Sequence, residues 1–154
     1  MSKITCSIII FLCVSNNVYA YDFSIGFGMG INGESVNRIG ISKSVSDNLY
    51  YEIGISSINE KIFIFSTSPM IRFKKTFESY NIFCEFGIGL SGISNTIVGD
   101  RNLATNFLFE DKIGIGVSTK NIDIAFRVIH YSNCSIKPPN DGFEVMMLNL
   151  TWKF

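Results

Sequence analysis

Three side chains near the end of the chain have the types that nucleophilic catalysis requires. His130 and Ser132 stand two positions apart, and Glu144 follows after a polar stretch. A serine hydroxyl is a weak nucleophile unless a base takes its proton, and that base works best when an acid fixes its tautomer. Alternate residues of a strand share a face at roughly 6 to 7 Å, within reach of an imidazole. The spacing predicts a Ser-His-Glu triad, with an interfacial polar cluster as the alternative.

The segments around these residues are predicted to be strands, because apolar side chains recur at every second position. Near the start of the chain, for example, Phe23, Ile25 and Phe27 alternate with serine and glycine. Period two gives a strand one apolar face. Turn-forming clusters separate eight such segments, at 33–35, 46–48, 58–60, 74–79, 92–102, 119–121 and 133–142. The pattern predicts an all-β fold, an eight-stranded antiparallel transmembrane β-barrel.

The other face of these strands separates a membrane barrel from a soluble, lipocalin-like carrier. A carrier would turn its apolar face inward around a ligand. Here the opposite face contains four acidic and four basic residues: Glu52, Arg72, Glu85, Glu110, Lys112, Asp123, Arg127 and Lys153. We expect these charges to fill the lumen as ion pairs while the apolar face contacts lipid. The terminal aromatic residue, Phe154, is typical of multi-pass barrels of the bacterial outer membrane.

Residues 1–20 have the charge, the short apolar stretch and the terminal Ala20 of a secretory signal peptide. The barrel domain would then cover residues 21–154, with 12 basic and 13 acidic residues. That balance gives no basic surface, so nucleic acid is not an expected partner. Cys84 and Cys134 would lie in a compartment where disulfides can form. The sequence cannot pair them, and two unlinked thiols are the simpler interpretation.

The position of the polar residues along the last strands is also informative. If both termini lie on the periplasmic side, the connections at 33–35, 58–60, 92–102 and 133–142 face outward. The last two of these are the longest connections in the chain. About ten residues at 3.3 Å each, tilted by 40 to 45°, rise roughly 24 Å. Glu144 would therefore lie near the outer-leaflet headgroups. It shares the lipid-facing parity with His130 and Ser132, where a charge is costly and indicates function.

The end of the chain contains a dense polar motif. It consists of His130-Tyr131-Ser132-Asn133, then Ile136-Lys137-Pro138-Pro139-Asn140-Asp141-Gly142, and then Glu144. This motif resembles the outer-membrane lipid A 3-O-deacylases of the PagL type. The resemblance implies hydrolysis of the ester-linked acyl chain at the 3-position of lipid A, with Ser132 as nucleophile, His130 as base and then acid, and Glu144 orienting His130. It also implies lipid A or lipopolysaccharide as substrate, with outer-membrane lipids around the barrel, and it allows a homodimer.

The same loop offers donors for a tetrahedral intermediate, whose oxyanion needs hydrogen bonds. Asn140 is the first candidate, with Asn133 or nearby backbone amides as the second donor, although an asparagine after two prolines also suits a turn. Cys134 stands where the resemblance leads us to expect a small residue such as alanine. We interpret it as a tolerated substitution. The alternative, a rival nucleophile, would lie in the loop past the strand end, without a second histidine to activate it. No cofactor is implied, and a single histidine without converging carboxylates is a poor metal site.

Two other functions fit an outer-membrane barrel of this size. A non-enzymatic barrel in adhesion or envelope stability would act through its external loops, which are short here for that role. A palmitoyl-transferring barrel would need a lumen that admits an acyl chain, whereas charged residues are expected to occupy this one.

Overall fold

The fold is described for residues 21–154 in a computed structural model, so the predicted signal peptide with Cys6 and Cys13 lies outside the described residues. The strands are β1 (Tyr21–Gly30), β2 (Ser35–Ser44), β3 (Leu49–Ile58), β4 (Ile62–Thr76), β5 (Asn81–Ile93), β6 (Ile97–Val98), β7 (Arg101–Asn102), β8 (Phe107–Ser118), β9 (Ile122–Ser132) and β10 (Phe143–Trp152). Among these residues no helix is long and apolar enough to cross a membrane.

Eight of the strands form one closed antiparallel barrel, in the order β1-β10-β9-β8-β5-β4-β3-β2. The barrel closes where β1 pairs with β10, with Phe23 opposite Trp152. Closure gives every strand two neighbours, so no edge with unpaired amides remains. The predicted eight-stranded barrel and its seven connections are confirmed. The long connection predicted at 92–102 covers residues 94–106 instead, because β5 runs to Ile93 and the loop contains the short hairpin β6-β7.

Large apolar side chains cover the outside of the barrel. On β1, Phe27 and Met29 are more than half exposed, and on β8 so is Ile115. The residues between them face the lumen and are small or buried. Such an exterior belongs in a bilayer, since a soluble carrier would have its apolar face inside.

Charged side chains fill the middle of the lumen, as predicted. Glu52 is at the centre: its Oε1 accepts from Arg38 Nη2 at 3.0 Å and from Lys112 Nζ at 2.8 Å. Its Oε2 accepts from Arg127 Nη1 at 2.7 Å. Arg127 also donates from Nε to Glu85 at 2.7 Å, which joins the two carboxylates through one guanidinium. The ion pairs of the lumen therefore form one connected network across the barrel.

Apolar side chains predominate at the outer end of the lumen, next to the buried carboxylate of Glu34, a feature that the alternation of the strands did not predict. Tyr131 and Phe143 stack there, with ring centroids 6.4 Å apart and both side chains buried. Val98 and Leu103 reach in from the 94–106 loop and are fully buried in the same cluster. Side chains therefore fill the lumen at this end. A palmitoyl-transferring barrel, which needs space for an acyl chain inside, does not fit this arrangement.

Replacing Glu52 by glutamine tests the ion-pair network. The change keeps the size of the side chain but leaves Arg38, Lys112 and Arg127 without their shared carboxylate. Breaking a buried pair by removing one partner typically costs about 3 to 5 kcal/mol. We expect the free energy of unfolding in urea to fall by that amount. An Asp47→Asn change in the exposed β2-β3 turn should stay within about 0.5 kcal/mol of the wild type, and equal midpoints for both variants would show that the network contributes little.

Candidate active site

The wall of the candidate site consists of neighbouring positions on β9 and β10. Tyr131 lies opposite Phe143 in the register, and both side chains point into the apolar end of the lumen. Because side chains alternate along a strand, this packing turns the adjacent pair, His130 and Glu144, to the outside of the barrel. The predicted lipid-facing parity of these two residues is confirmed.

His130 and Glu144 are directly opposite each other and form a hydrogen bond. His130 Nδ1 lies 3.0 Å from Glu144 Oε1, and the two side chains are about one third exposed (39% and 34%). A carboxylate at Nδ1 favours the tautomer with the proton on that nitrogen. The other ring nitrogen, Nε2, then has a free lone pair and can accept a proton.

Ser132 lies two residues further along β9 on the face of His130, and it is largely buried, at 7% exposure. Its hydroxyl oxygen is 3.9 Å from Cys134 Sγ. Among the hydrogen bonds of residues 21–154, none joins Ser132 to His130. The structure thus brings two of the three predicted triad members into contact and places the third beside them, with its hydroxyl turned toward the loop.

The loop 133–142 holds the two predicted oxyanion donors in different ways. Asn133 is fully buried, and its Nδ2 donates to the carbonyl oxygens of Leu103 at 2.8 Å and Lys137 at 2.7 Å. Its side chain therefore fixes the loop. Asn140 lies close to the serine, because its Oδ1 accepts from the backbone N–H of Asn133, the residue after Ser132, at 2.9 Å. This leaves Asn140 Nδ2 as the donor that can turn toward a reacting group.

A second carboxylate next to His130 escaped the sequence reasoning. Asp111 on β8 is the register partner of His130 on the side away from Glu144, and it is exposed. It shares the outward parity of Phe109 and Ile113 on its strand. An acidic residue among lipid-facing positions was the signal that could have found it. Its carboxylate therefore lies on the same outer wall as the imidazole of His130.

Gly142 ends the loop directly beside the imidazole. Its φ is +65°, and a Cβ at this position would lie 2.9 Å from His130 Cε1. That separation is shorter than an ordinary carbon-carbon contact of 3.5 to 4.0 Å. The absence of a side chain at Gly142 therefore lets the loop pass against the ring without displacing it.

Cys84 and Cys134 are both free thiols, Cys84 part-buried on β5 and Cys134 exposed in the loop. The sequence interpretation had both thiols partly buried, whereas only Cys84 is. Within residues 21–154, no group of three or more histidine, cysteine, aspartate or glutamate side chains is arranged to hold a metal ion.

Comparison with known proteins identifies the family. The family described as lipid A 3-O-deacylase (PagL) matches residues 22–153. The chain belongs to this family. The lipid A deacylase PagL of Pseudomonas aeruginosa is 42% identical over 80 residues, which are 51% of this chain and 46% of that protein. The corresponding protein of Bordetella bronchiseptica is 34% identical over 90 residues, 58% of this chain and 49% of that protein. The chain spans about half the length of the curated relatives it matches.

Solved structures support the same family assignment and an outer-membrane barrel. The crystal structure of the outer membrane enzyme PagL superimposes with a TM-score of 0.82 at 30% identity, covering 86% of this chain and 99% of that one. The N-terminal barrel domain of Pseudomonas aeruginosa OprF shares the fold alone, with a TM-score of 0.55 at 13% identity, and covers 87% of this chain and 96% of that domain. This member of the PagL family is therefore a β-barrel of the outer membrane.

A Gly142→Ala change tests whether the loop positions the imidazole in this PagL family member. Alanine at positive φ costs roughly 1 to 2 kcal/mol wherever it occurs, so Gly33→Ala, with φ +91° and no atom near its Cβ, is the matched control. Only Gly142→Ala should also displace His130. We expect the rate of Ser132 labelling by a fluorophosphonate to fall roughly 100-fold, the cost of a displacement of about 1 Å. Equal labelling of the two variants would contradict this role.

Proposed function

We propose that this chain hydrolyses the ester that joins an acyl chain to the 3-position of lipid A, with Ser132, His130 and Glu144 as its catalytic triad. The observation that carries the proposal is the His130–Glu144 hydrogen bond on the lipid-facing wall, two residues from a serine. Membership of the lipid A 3-O-deacylase family supports the choice of substrate. The homodimer that the sequence allows stays a prediction.

The first half of the reaction transfers the acyl group to Ser132. The serine rotates about its Cα–Cβ bond, leaving Cys134 and turning its hydroxyl toward His130. Its oxygen then attacks the acyl carbon while Nε2 of His130 takes the hydroxyl proton. Glu144, bonded to Nδ1, stabilises the imidazolium. When the tetrahedral intermediate collapses, the sugar oxygen leaves with the proton from Nε2, and the acyl chain remains as an ester on Ser132.

The second half uses water. His130 takes a proton from a water molecule that attacks the acyl-serine, and the bond between Ser132 and the acyl carbon breaks. The serine oxygen recovers its proton from the imidazolium, and the acyl chain leaves as a free carboxylic acid. No cofactor is needed for either half.

Asn140 is the proposed side-chain donor to the oxyanion. Its Oδ1 is held by the Asn133 N–H, and this bond orients the amide so that Nδ2 is available. A fixed donor stabilises the developing charge without reorganising during the reaction, which is why such groups contribute strongly to rate.

The position of the site also suits an ester at the membrane surface. His130 and Glu144 lie at the end of the barrel opposite the termini, since Phe23 and Trp152 pair at the other end. This end lies at roughly the height of the outer-leaflet headgroups, where the ester bonds of lipid A are located. A site on the lipid-facing wall can contact them, whereas a site in the filled lumen would be inaccessible.

Mass spectrometry of lipid A from cells that express the chain tests this function. We expect the wild type to remove one 3-hydroxyacyl group, and Ser132→Ala to lose activity by about 10⁴-fold or more, since the attacking oxygen is gone. Cys134→Ala is the matched control, because it removes the rival nucleophile from the same loop and should retain activity. Both variants must show the gel mobility of folded barrels.

The other outcomes are equally informative. Activity that survives in Ser132→Ala but disappears in Cys134→Ala would move the nucleophile to the thiol. Unchanged lipid A with purified, folded wild-type protein in detergent would leave a non-enzymatic outer-membrane barrel, with its polar cluster only contacting lipid headgroups.

The oxyanion role of Asn140 is tested by aspartate and alanine variants. Asn140→Asp keeps the oxygen that accepts from the Asn133 N–H but loses the Nδ2 donor. We expect kcat to fall by roughly 10² to 10³ in both variants, corresponding to about 3 to 4 kcal/mol. An aspartate variant as active as the wild type would instead assign Asn140 to holding the loop.

A further inference from the structure

The loop 94–106, which we call the brace loop, is anchored in the barrel. Val98 and Leu103 are fully buried in the apolar cluster that also contains Tyr131 and Phe143. Those two aromatic residues are adjacent in sequence to His130, Ser132 and Glu144. The brace loop and the catalytic wall therefore rest on the same packed layer.

The brace loop is joined to the catalytic loop 133–142 by several hydrogen bonds around Asp141. The carboxylate of Asp141 accepts from the backbone N–H of Asn102 at 2.7 Å. Arg101 donates from Nη1 to the backbone oxygen of Asp141 at 2.8 Å. At the start of the catalytic loop, Asn133 donates to the carbonyl of Leu103. Residues 101–103 thus hold the catalytic loop near both of its ends.

Asp141 stands between the two residues of the loop that approach the reacting groups. Asn140, on one side, is the proposed oxyanion donor, and Gly142, on the other, lies against the ring of His130. A backbone shift at Asp141 must move at least one of them, because both are covalently attached to it. The bonds from Arg101 and Asn102 resist that shift.

We propose that Asp141 is a positioning residue for the reaction. It ties the catalytic loop to the brace loop and so fixes Asn140 and Gly142 against Ser132 and His130. This inference rests on the proposed function. Loss of Asp141 should lower kcat more than it weakens substrate binding, because the groups that Asp141 positions act on the tetrahedral intermediate and on the imidazole.

The test compares three variants of the full chain in detergent. Asp141→Ala removes the acceptor, and Asp141→Asn keeps an oxygen that can accept from the Asn102 N–H. Asp47→Ala removes an exposed aspartate of the β2-β3 turn, at the opposite end of the barrel from both loops. The readouts are kcat and KM for lipid A in mixed micelles, the rate of Ser132 labelling by a fluorophosphonate, and heat-dependent gel mobility as a measure of folding.

We expect Asp141→Ala to lower kcat and the labelling rate by roughly 10- to 100-fold, as displacements of about 1 Å do. KM should change less than twofold, and folding should be intact. Asp141→Asn should recover most of the activity, and Asp47→Ala should match the wild type. An Arg101→Gln variant loses the bond to the Asp141 carbonyl, and we expect it to lower kcat and the labelling rate by a smaller factor. It replaces Asp141→Ala in the comparison if that variant does not fold.

Wild-type kcat in Asp141→Ala would overturn the positioning role, and so would a loss that appears only as less folded protein. An Asp141→Asn variant as impaired as alanine would do the same, since the accepting oxygen would then not matter. If the wild type leaves lipid A intact, the proposed function fails, and the labelling rates still decide whether Asp141 positions Ser132.

Discussion

A strand that crosses the hydrocarbon must satisfy every backbone N–H and C=O within the protein, and the rest of this structure depends on that constraint. Closure between β1 and β10 meets it by removing the last free edge. Closure also divides side chains strictly into two sets, because successive residues point to lipid or to lumen. Polar side chains are therefore unusual among the lipid-facing residues, where they are costly. His130 and Glu144 are such exceptions, and each offsets the cost of the other through their hydrogen bond.

The lumen solves the opposite problem. Charges that face inward lose most of their contact with water, so they must find partners among themselves. Glu52 contacts cations from β2, β8 and β9, so strands that are not adjacent are tied together across the barrel. Toward the outer end the charges give way to packed apolar side chains. This layer gives β9 and β10 a rigid backing at the height where their outward side chains form the candidate site.

The candidate site combines a rigid part with an irregular one. The acid and the base are on paired strands, whose register fixes His130 opposite Glu144. The serine comes at the last residue of β9, and the asparagine belongs to the loop beyond it. A loop can bring backbone and side-chain donors to the serine from directions that a strand cannot supply. Its conformation is stabilised by Asn133, whose amide is occupied by carbonyl groups of two different loops.

The sequence by itself determined the strands, their parity and the types of residue at the site, because the two-residue period of a strand is a local property. Thus Phe23, Ile25 and Phe27 revealed the lipid face of β1, and the same rule placed His130 and Glu144 outward. The tertiary structure alone decided contacts between segments that are distant in the chain. Examples are Arg38 with Glu110 across the lumen, Leu103 in the apolar layer, and Asn102 with Asp141. It also decided that the Ser132 hydroxyl faces Cys134. These contacts follow from closure and from loop conformations, which have no sequence period and depend on the packing of the whole barrel.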